Sequence, residues 1–224
     1  MSGSDASPIT QPFLGIEIQL AGSVLVPRAE TELLGETAIR LVKELDGPLE
    51  VIDMCCGSGN LALAIAHHLP NAKVQACDLT EDCIATTEEN ARLLGLHDRV
   101  STLRGDLFSA LPHAGSGEEA DLIVCNPPYI SSGRLENESA HLLENEPRAA
   151  FDGGPYGISI LQRLVRDAAA HLKEGGWLAF EFGEGQHKQA LHLLKRAKCY
   201  ADIQLIDNND GVPRVAIARK GHGQ

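Results

Sequence analysis

The sequence has few aromatic residues and no long apolar run. Aromatic residues make up 4% of its 224 residues and apolar residues 43%, so the expected core is sizeable and aliphatic. No apolar run reaches the length that crosses a membrane, and Met1–Pro8 lacks the apolar centre of a secretion signal. Length and composition therefore predict one α/β domain that is not embedded in a membrane.

The sequence also lacks a cluster of basic residues. It has 19 Lys and Arg against 31 Asp and Glu, which gives a net charge of −12. A protein that binds nucleic acid normally presents a basic face to the phosphates, and the overall field of this chain would repel them. Nucleic acid is therefore a disfavoured partner, although a local basic patch would be compatible with it.

Paired-cysteine motifs are missing as well. None of the six cysteines forms a C-x-x-C pair, and no spacing of Cys and His is typical of a zinc site. We therefore predict no metal, and we interpret the cysteines as reduced, buried thiols of a cytoplasmic protein. They are Cys55, Cys56, Cys77, Cys83, Cys125 and Cys199.

Strand and helix patterns alternate over most of the chain. Apolar runs such as Leu122–Val124 have the length of strands, and segments with helical periodicity separate them. This alternation predicts a mainly parallel sheet with helices on both faces, which is a Rossmann-like α/β fold. A hairpin-type turn at Asn208–Gly211 joins the two final strands, so the last strand is expected to be antiparallel.

A different pattern precedes this alternation. Ile16–Leu20 alternates apolar and polar residues, Ala21-Gly22 is typical of a turn, and Val24–Val26 completes a predicted β-hairpin. Helical spacing then runs over Ala29–Leu45. We predict a disordered tail over 1–12, a hairpin and helix lead-in over 13–48, and a main domain over 49–224 to which the lead-in belongs.

The segment Asp53–Asn60 joins the first core strand to the first core helix. Gly57 and Gly59 allow a tight turn and the close approach of a ligand, and the helix start presents unpaired N–H groups. Such a loop suits a dinucleotide, S-adenosylmethionine, or a turn chosen for geometry alone. Asp53 favours S-adenosylmethionine, because a carboxylate at the strand end attracts an ammonium group and repels a pyrophosphate.

Two further aspartates follow strands. Asp78 ends the second core strand, where its carboxylate can accept both hydroxyls of a ribose. Alternatively it caps the next helix, a role that Thr80 or Glu81 could also fill. Asp106 follows the third strand and is interpreted either as the acceptor of an adenine amino proton or as a plain turn residue.

The tetrapeptide Asn126-Pro127-Pro128-Tyr129 follows the fourth core strand. Ligands of open α/β sheets bind beyond the carboxyl ends of the strands, so this segment is expected to face the cofactor. The Asn126 side-chain oxygen and the Pro127 carbonyl can each accept one proton of an NH₂ group, and Tyr129 can stack on a planar group. The alternative is a rigid turn, since Asn-Pro commonly opens turns.

This pattern suits methyl transfer to a planar nitrogen. An amide nitrogen is a poor nucleophile because its lone pair is delocalised into the carbonyl. Holding both of its N–H groups orients the nitrogen and stabilises the positive charge that grows on it during transfer.

Together these segments resemble the HemK/PrmC group of class I methyltransferases, which methylate the glutamine side chain of translation release factors. The Asn-Pro-Pro-Tyr motif is shared with adenine and guanine N-methyltransferases, whereas Val26–Glu32 narrows the match to this group. The matching segments, in the family's order, are Val26–Glu32, Asp53–Asn60, Asn126–Ile130, Glu146–Arg148 and Asp152–Gly154.

The resemblance implies a seven-stranded methyltransferase sheet with a reversed last strand, and S-adenosylmethionine as the cofactor. It places Arg28, Glu30 and Thr31 near the active site, although that stretch is equally a helix start. The predicted cofactor-binding residues are Asp53, Cys55, Gly57, Gly59, Asn60, Asp78, Leu79, Asp106, Leu107 and Asn126. The predicted catalytic residues are Asn126, Pro127 and Tyr129, and the predicted substrate-binding residues are Arg28, Glu30, Thr31, Pro128 and Tyr129.

Two features depart from the family or extend it. The family usually carries a helical domain before the hairpin, and here only residues 1–12 precede Phe13, so we expect the catalytic domain alone. The long polar loop Ser131–Gly157 is interpreted either as a solvated face or as an acidic lid that selects a cationic substrate. Its acidic residues are Glu136, Glu138, Glu144 and Glu146.

The leading hypothesis is therefore N-methyl transfer to a glutamine-like amide on a protein such as a release factor. One alternative is a small-molecule methyltransferase of a biosynthetic pathway, and another is a nucleic-acid N-methyltransferase. A fourth is a methyltransferase-like subunit that binds the cofactor or a partner without catalysis, against which the intact Asn126–Tyr129 segment argues. The sequence carries no indication of the oligomeric state.

Overall fold

The computed structural model describes residues 9–111, 119–144 and 146–221. Within these ranges a seven-stranded sheet carries helices on both faces, and a two-stranded hairpin stands apart from it. The hairpin strands are β1 (Ile9–Phe13) and β2 (Ile16–Leu20). The sheet strands are β3 (Leu49–Met54), β4 (Ala72–Asp78), β5 (Val100–Arg104), β6 (Ala120–Cys125), β7 (Leu172–Glu181), β8 (Tyr200–Asp207) and β9 (Pro213–Lys220).

The strand order of the large sheet is β5-β4-β3-β6-β7-β9-β8. Strands β3 to β7 pair in parallel, whereas β9 lies antiparallel between β7 and β8. The predicted parallel sheet with a reversed last strand is confirmed. The order changes direction between β3 and β6, and such a switch point is where open α/β sheets bind their ligands.

Helices cover both faces of the sheet. Successive side chains of a strand point to opposite faces of the sheet. Accordingly, Val51 of β3 packs in the core cluster that contains Leu34 and Ile65, and Ile52 packs in the cluster on the other face, which contains Leu164. This double burial explains why β6 is continuously apolar over Leu122–Val124. The α-helices are α1 (Glu32–Val42), α2 (Asn60–His68), α3 (Glu81–Leu93), α4 (Ser132–Asn137), α5 (Ser159–Ala168) and α6 (His187–Ala197). None of the helices described is both long and apolar enough to cross a membrane.

The predicted hairpin strand Ile16–Leu20 is confirmed, but its predicted partner is wrong. Strand β2 pairs with β1, which precedes it, and Phe13 lies opposite Ile16 across a turn at Leu14-Gly15. Both turn residues have positive φ, 45° and 84°, as a two-residue hairpin turn requires. The predicted strand Val24–Val26 has no regular structure.

The segment after β2 is instead attached to α3. The Thr86 hydroxyl donates to the Ala21 carbonyl at 2.8 Å, and Ser23 N–H donates to Asp82 Oδ2 at 2.9 Å. These side-chain bonds satisfy backbone groups that a second hairpin would have used, so Ala21-Gly22 does not return the chain onto β2.

Three further boundaries differ from the predictions. Residues 9–12 belong to β1 and not to a tail, while residues 1–8 lie outside the described part of the chain. The predicted helix Ala29–Leu45 consists of a short 3-10 turn, Ala29–Thr31, followed by α1. The polar loop Ser131–Gly157 contains α4, whose first turn is capped by the Ser131 hydroxyl.

Candidate functional site

A cavity opens where the sheet changes direction, beyond the carboxyl ends of β3, β4 and β6. We call it the strand-end cavity. The predicted residues that line it are Cys55, Gly57, Asp78, Leu79, Asp106, Leu107, Asn126 and Pro128. Three other predicted cofactor residues, Asp53, Gly59 and Asn60, lie in the same loop but do not line the cavity.

A second cavity adjoins the first, and we call it the side cavity. Its lining includes the predicted residues Arg28, Glu30, Asn126, Pro127 and Tyr129. Asn126 lines both cavities, so its side chain stands at the boundary between them. The structure thereby brings together the two sets of residues that the sequence assigned to cofactor and substrate.

The glycine loop is held in a conformation that depends on Gly59. Its φ is +83°, and a Cβ at this position would lie 2.8 Å from Thr87 Cγ2, closer than side chains approach one another. The loop is also tied to β4, because Gly57 N–H donates to Asp78 Oδ2 at 3.0 Å. Asp78 is thus fixed at the cavity wall.

Asp78 does not act as the direct cap of α3. Its Oδ1 accepts from Thr80 N–H at 3.1 Å, while the Thr80 hydroxyl accepts from Cys83 N–H and caps the helix. The helix start is therefore satisfied by Thr80, which leaves Asp78 available to the strand-end cavity.

Asp53 lies behind the loop and is fully buried. Its Oδ2 accepts from Ala62 N–H at 2.9 Å, whereas its Oδ1 has no hydrogen-bond partner among the described residues. The pKa of Asp53 is raised from 3.8 to about 8, chiefly by burial and also by the nearby Asp78, while the Ala62 bond opposes the rise. The buried oxygen has free acceptor capacity beside the cavity.

Asp106 is less enclosed than the adenine interpretation suggests. Its side chain is 54% exposed, and its Oδ2 accepts from the Arg163 guanidinium at 2.9 Å. Leu107, which follows it, has φ +51° and is buried against the cavity. Arg163 on α5 was not predicted, and it competes for one of the two carboxylate oxygens.

The orientation of Asn126 depends on Thr31 and Glu181. Asn126 Nδ2 donates to Thr31 Oγ1 at 3.0 Å, and Thr31 Oγ1 donates to Glu181 Oε2 at 2.8 Å. Thr31 was predicted to bind substrate, yet it is buried, 1% exposed, and lines neither cavity; its side chain contacts Asn126 and Glu181, which do. The Arg28–Thr31 stretch therefore combines a 3-10 helix start with a contact to the site, as both interpretations proposed.

Tyr129 also bonds to Glu181. Its hydroxyl donates to Glu181 Oε1 at 3.2 Å, and burial raises the pKa of Tyr129, so the hydroxyl remains a donor. The Tyr129 carbonyl accepts from Gln186 Nε2 at 2.9 Å, and Gln186 Oε1 accepts from Gly183 N–H at 2.8 Å. Gln186 thereby fixes the Asn126–Tyr129 segment to the loop after β7.

Glu181, Arg214 and Gln186 are site residues that the sequence reasoning missed. Glu181 had a signal, because it is a lone carboxylate within the apolar run Trp177–Phe182 at the end of a strand adjacent to β6. Arg214 lies 3.8 Å from Glu181 across the β7–β9 pairing, and Gln186 acts from the turn before α6. Neither has a local sequence pattern that indicates its role.

Three glutamates of the polar loop Ser131–Gly157 form ion pairs with arginines. Glu146 accepts from Arg28 and from Val26 N–H, which attaches the loop to the wall of the side cavity. Glu136 pairs with Arg148, and Glu138 with Arg134. The side chain of Glu144 lies outside the described part of the structure. The paired carboxylates favour neither a free acidic lid nor a purely solvated face.

The six thiols are free, and four of them are buried, as predicted. Cys55 and Cys199 are half-buried. Cys77 and Cys83 line the strand-end cavity, and burial raises the pKa of each to about 12. The thiols therefore contribute neutral, weakly polar surface to the cavity wall.

Known proteins with similar sequences point to one chemistry. The family model described as "Methyltransferase small domain" matches residues 34–204. The release factor glutamine methyltransferase of Moorella thermoacetica is 35% identical over 208 residues, which are 93% of this chain and 71% of that protein.

Solved structures share the fold. The protein-(glutamine-N5) methyltransferase of Alicyclobacillus acidocaldarius superposes with a TM-score of 0.54 and 23% identity, covering 88% of this chain and 95% of that one. A 16S rRNA methyltransferase of T. thermophilus, solved with AdoMet and guanosine, gives a TM-score of 0.69 and 21% identity, covering 95% of this chain and 50% of that one.

Proposed function

The chain belongs to the family of release factor glutamine methyltransferases, and from this premise we propose that it transfers a methyl group from S-adenosylmethionine to a glutamine side-chain nitrogen of a protein. The acceptor that the relatives' name specifies, a translation release factor, is the proposed substrate. The family and the α/β sheet predicted from the sequence are both confirmed.

One observation carries this proposal: the Asn126 side chain stands between the two cavities with its Nδ2 committed to Thr31. Its Oδ1 is then free to accept from an acceptor NH₂ group, and the Pro127 carbonyl can accept the second proton. Two fixed acceptors hold the nitrogen and oppose rotation of the amide. They also stabilise the positive charge that develops on nitrogen while the N–C bond forms and the S–C bond of the sulfonium breaks, and the nitrogen then releases one proton to water.

The strand-end cavity fits S-adenosylmethionine, which when bound supplies the methyl group from its sulfonium. The unpartnered Asp53 Oδ1 is the test of this fit, because a buried carboxylate oxygen without a partner requires a donor or a cation. We propose that the ammonium group of the cofactor supplies that charge, with Cys55 and Gly57 lining its path. Asn60 and Gly59 shape the loop from behind.

The remaining cofactor residues are assigned by their chemistry. We propose that Asp78 accepts the ribose hydroxyls, since Thr80 caps α3 in its place. Asp106 retains one oxygen for the adenine amino group while Arg163 holds the other. Leu79, an exposed apolar side chain on the cavity rim, and Leu107 enclose the base.

For the acceptor we propose a position in the side cavity. Pro127 and Tyr129 form one wall, with Tyr129 stacking on the planar amide, and Arg28 and Glu30 form another, whereas Pro128, predicted to bind substrate, lines the strand-end cavity instead. Arg28 is held by Glu146, so its charge is partly neutralised. Glu30, Glu181 and Arg214 also line the cavity, so positive and negative side chains are balanced there, which suits a neutral amide.

The test is labelled methyl transfer from S-adenosylmethionine to a purified bacterial release factor, with mass spectrometry to locate the methyl group. Wild-type protein is expected to label a glutamine nitrogen. Asn126→Ala should keep cofactor binding and lose about 3 kcal/mol of transition-state stabilisation, roughly a hundredfold in rate. Asn71→Ala is the matched control. The Asn71 side chain donates to the Gly47 carbonyl at the amino-terminal ends of β3 and β4, which is the end of the sheet away from the cavities. Normal turnover by Asn126→Ala would refute the role of this side chain.

A further inference from the structure

The Thr31 hydroxyl has a single proton, and its two neighbours determine where that proton points. A hydroxyl can donate once, and Thr31 donates to Glu181 Oε2 at 2.8 Å. Its oxygen can then only accept from the remaining neighbour, Asn126, at 3.0 Å. Asn126 must therefore direct its side-chain NH₂ group toward Thr31.

Glu181 sets this direction because an ionised carboxylate can only accept. Its side chain is 2% exposed, and its Oε1 accepts from the Tyr129 hydroxyl. The Arg214 guanidinium lies 3.8 Å away and favours the anion. The pKa of Glu181 is raised, chiefly by burial and also by the Glu30 carboxylate. Thr31, Arg214 and Tyr129 each oppose the rise.

A reversed Asn126 amide would be unable to perform the chemistry. Its NH₂ group would then face the acceptor NH₂ group, and two donors cannot form a hydrogen bond. In water an asparagine amide reverses freely, so the fold must supply the preference. The Thr31–Glu181 pair supplies it from the protein side of Asn126: Thr31 lines neither cavity, whereas Glu181 also lines the side cavity.

We propose that Glu181 is a positioning residue that acts through Thr31 to fix the donor end of the Asn126 amide, and so restricts the site to acceptors that donate N–H. The inference rests on the proposed function, because the direction of the amide matters only if Asn126 holds an NH₂ acceptor. The fixed direction of the Asn126 amide explains why this site accepts an amide nitrogen.

The first test compares Thr31→Val with Thr31→Ser. Valine keeps the shape and removes the hydroxyl, so we expect kcat to fall about tenfold, the effect of losing one orienting hydrogen bond. The dissociation constant for S-adenosylmethionine should not change. Serine retains the hydroxyl and should restore kcat close to that of the wild type.

A matched control separates this role from a general loss of stability. Thr86 is also buried and its hydroxyl donates at 2.8 Å to Ala21, but it has no link to Asn126. Thr86→Val should lower the unfolding temperature by a similar amount and leave kcat unchanged.

The decisive measurement repeats Thr31→Val in an Asn126→Ala background. If Thr31 acts through Asn126, the second substitution causes no further loss of kcat. A tenfold loss in both backgrounds, or a normal kcat for Thr31→Val alone, would overturn the inference.

Should Thr31→Val fail to fold, Glu181→Gln gives the same answer. A glutamine can donate to Thr31 and so permits both directions of the Asn126 amide, which should lower kcat only when Asn126 is present. An equal loss with and without Asn126 would again reject the inference. The proposed function fails separately, when wild-type protein labels no glutamine.

Discussion

Asp53→Asn is expected to stabilise the ligand-free protein at neutral and alkaline pH. The carboxylate is fully buried, and only its Oδ2 has a partner, the Ala62 N–H at 2.9 Å. Burial raises the pKa of Asp53 from 3.8 to about 8. Asparagine can keep the Ala62 bond through its own oxygen and cannot ionise, so it removes the cost of keeping the buried carboxyl protonated and, at alkaline pH, of burying its charge.

The raised pKa determines the sign and the pH window. Below about pH 4 the carboxyl is neutral in the folded and unfolded chains, so it does not affect the free energy of unfolding. Between about pH 4 and 8 the unfolded chain releases the proton and the folded chain keeps it, so stability falls as pH rises. Each pH unit corresponds to about 1.4 kcal/mol, which gives an upper limit on the order of 5 kcal/mol at pH 8.

Urea unfolding of the wild type and of Asp53→Asn at about pH 4, 6 and 8 measures this difference directly. The gain in the variant's free energy of unfolding should grow with pH. Asp98→Asn is the matched control for the loss of one negative charge, because the Asp98 side chain is 90% exposed.

Asp53→Asn should also bind the cofactor less tightly, although it is more stable without it. If the Asp53 carboxylate holds the ammonium of S-adenosylmethionine, the amide should bind the cofactor more weakly. The reasoning is refuted if Asp53→Asn is less stable than the wild type at pH 8 without ligand, or if its advantage is the same at every pH.

Two further substitutions test the glycine loop and its neighbour. Asp78→Ala should raise the dissociation constant for S-adenosylmethionine in calorimetry, because it removes the proposed ribose acceptor; an unchanged constant rejects that assignment. Gly59→Ala should lower the free energy of unfolding by about 1 kcal/mol for the positive φ and by about 1–3 kcal/mol more for the contact with Thr87. Gly47→Ala, with a similar φ of +86° and nothing near its Cβ, should show the first cost alone, and equal losses at both positions would contradict the packing argument.

The sheet was predictable because burial on both faces leaves a simple trace in the sequence. Strand β6 carries the apolar run Leu122–Val124 and the neighbouring strands carry shorter apolar stretches, and the residues that follow them must gather at one edge of a parallel sheet. This geometry alone placed Asp78, Asp106 and Asn126 around one cavity. The positions of these side chains follow from topology, and so they needed no knowledge of long-range contacts.

The first hairpin was not predictable, because its turn carries a weak signal. Leu14-Gly15 has a leucine at positive φ, a conformation that leucine rarely adopts, whereas Ala21-Gly22 looks like the better turn. Pro12 also argued against a strand, although β1 lies at the edge of its two-stranded sheet, where proline is tolerated. Phe13 and Ile16, both buried beside the turn, favour the observed pairing.

The supporting residues of Asn126 were hidden for a different reason. Thr31 and Glu181 are 150 positions apart, and Asn126 and Thr31 are 95 apart, so no local pattern joins them. Each residue has a plausible local role, Thr31 as a helix start and Glu181 as the end of a strand. Only the folded chain shows that one hydroxyl serves both.

The contacts of the lead-in bear on the prediction that it belongs to the same domain as residues 49–224. Asn90 Oδ1 on α3 accepts from Gln19 N–H at 2.9 Å, and Asn90 Nδ2 donates to the Gln19 carbonyl at 2.9 Å. Both backbone groups of this β2 residue are therefore hydrogen-bonded to the main domain. Ile18 and Leu34 share a core cluster with Val51 of β3. Because Thr31 also orients Asn126, removal of residues 13–48 would expose the core and release the amide at the same time. We therefore propose that the lead-in is part of the catalytic unit and has no separate fold.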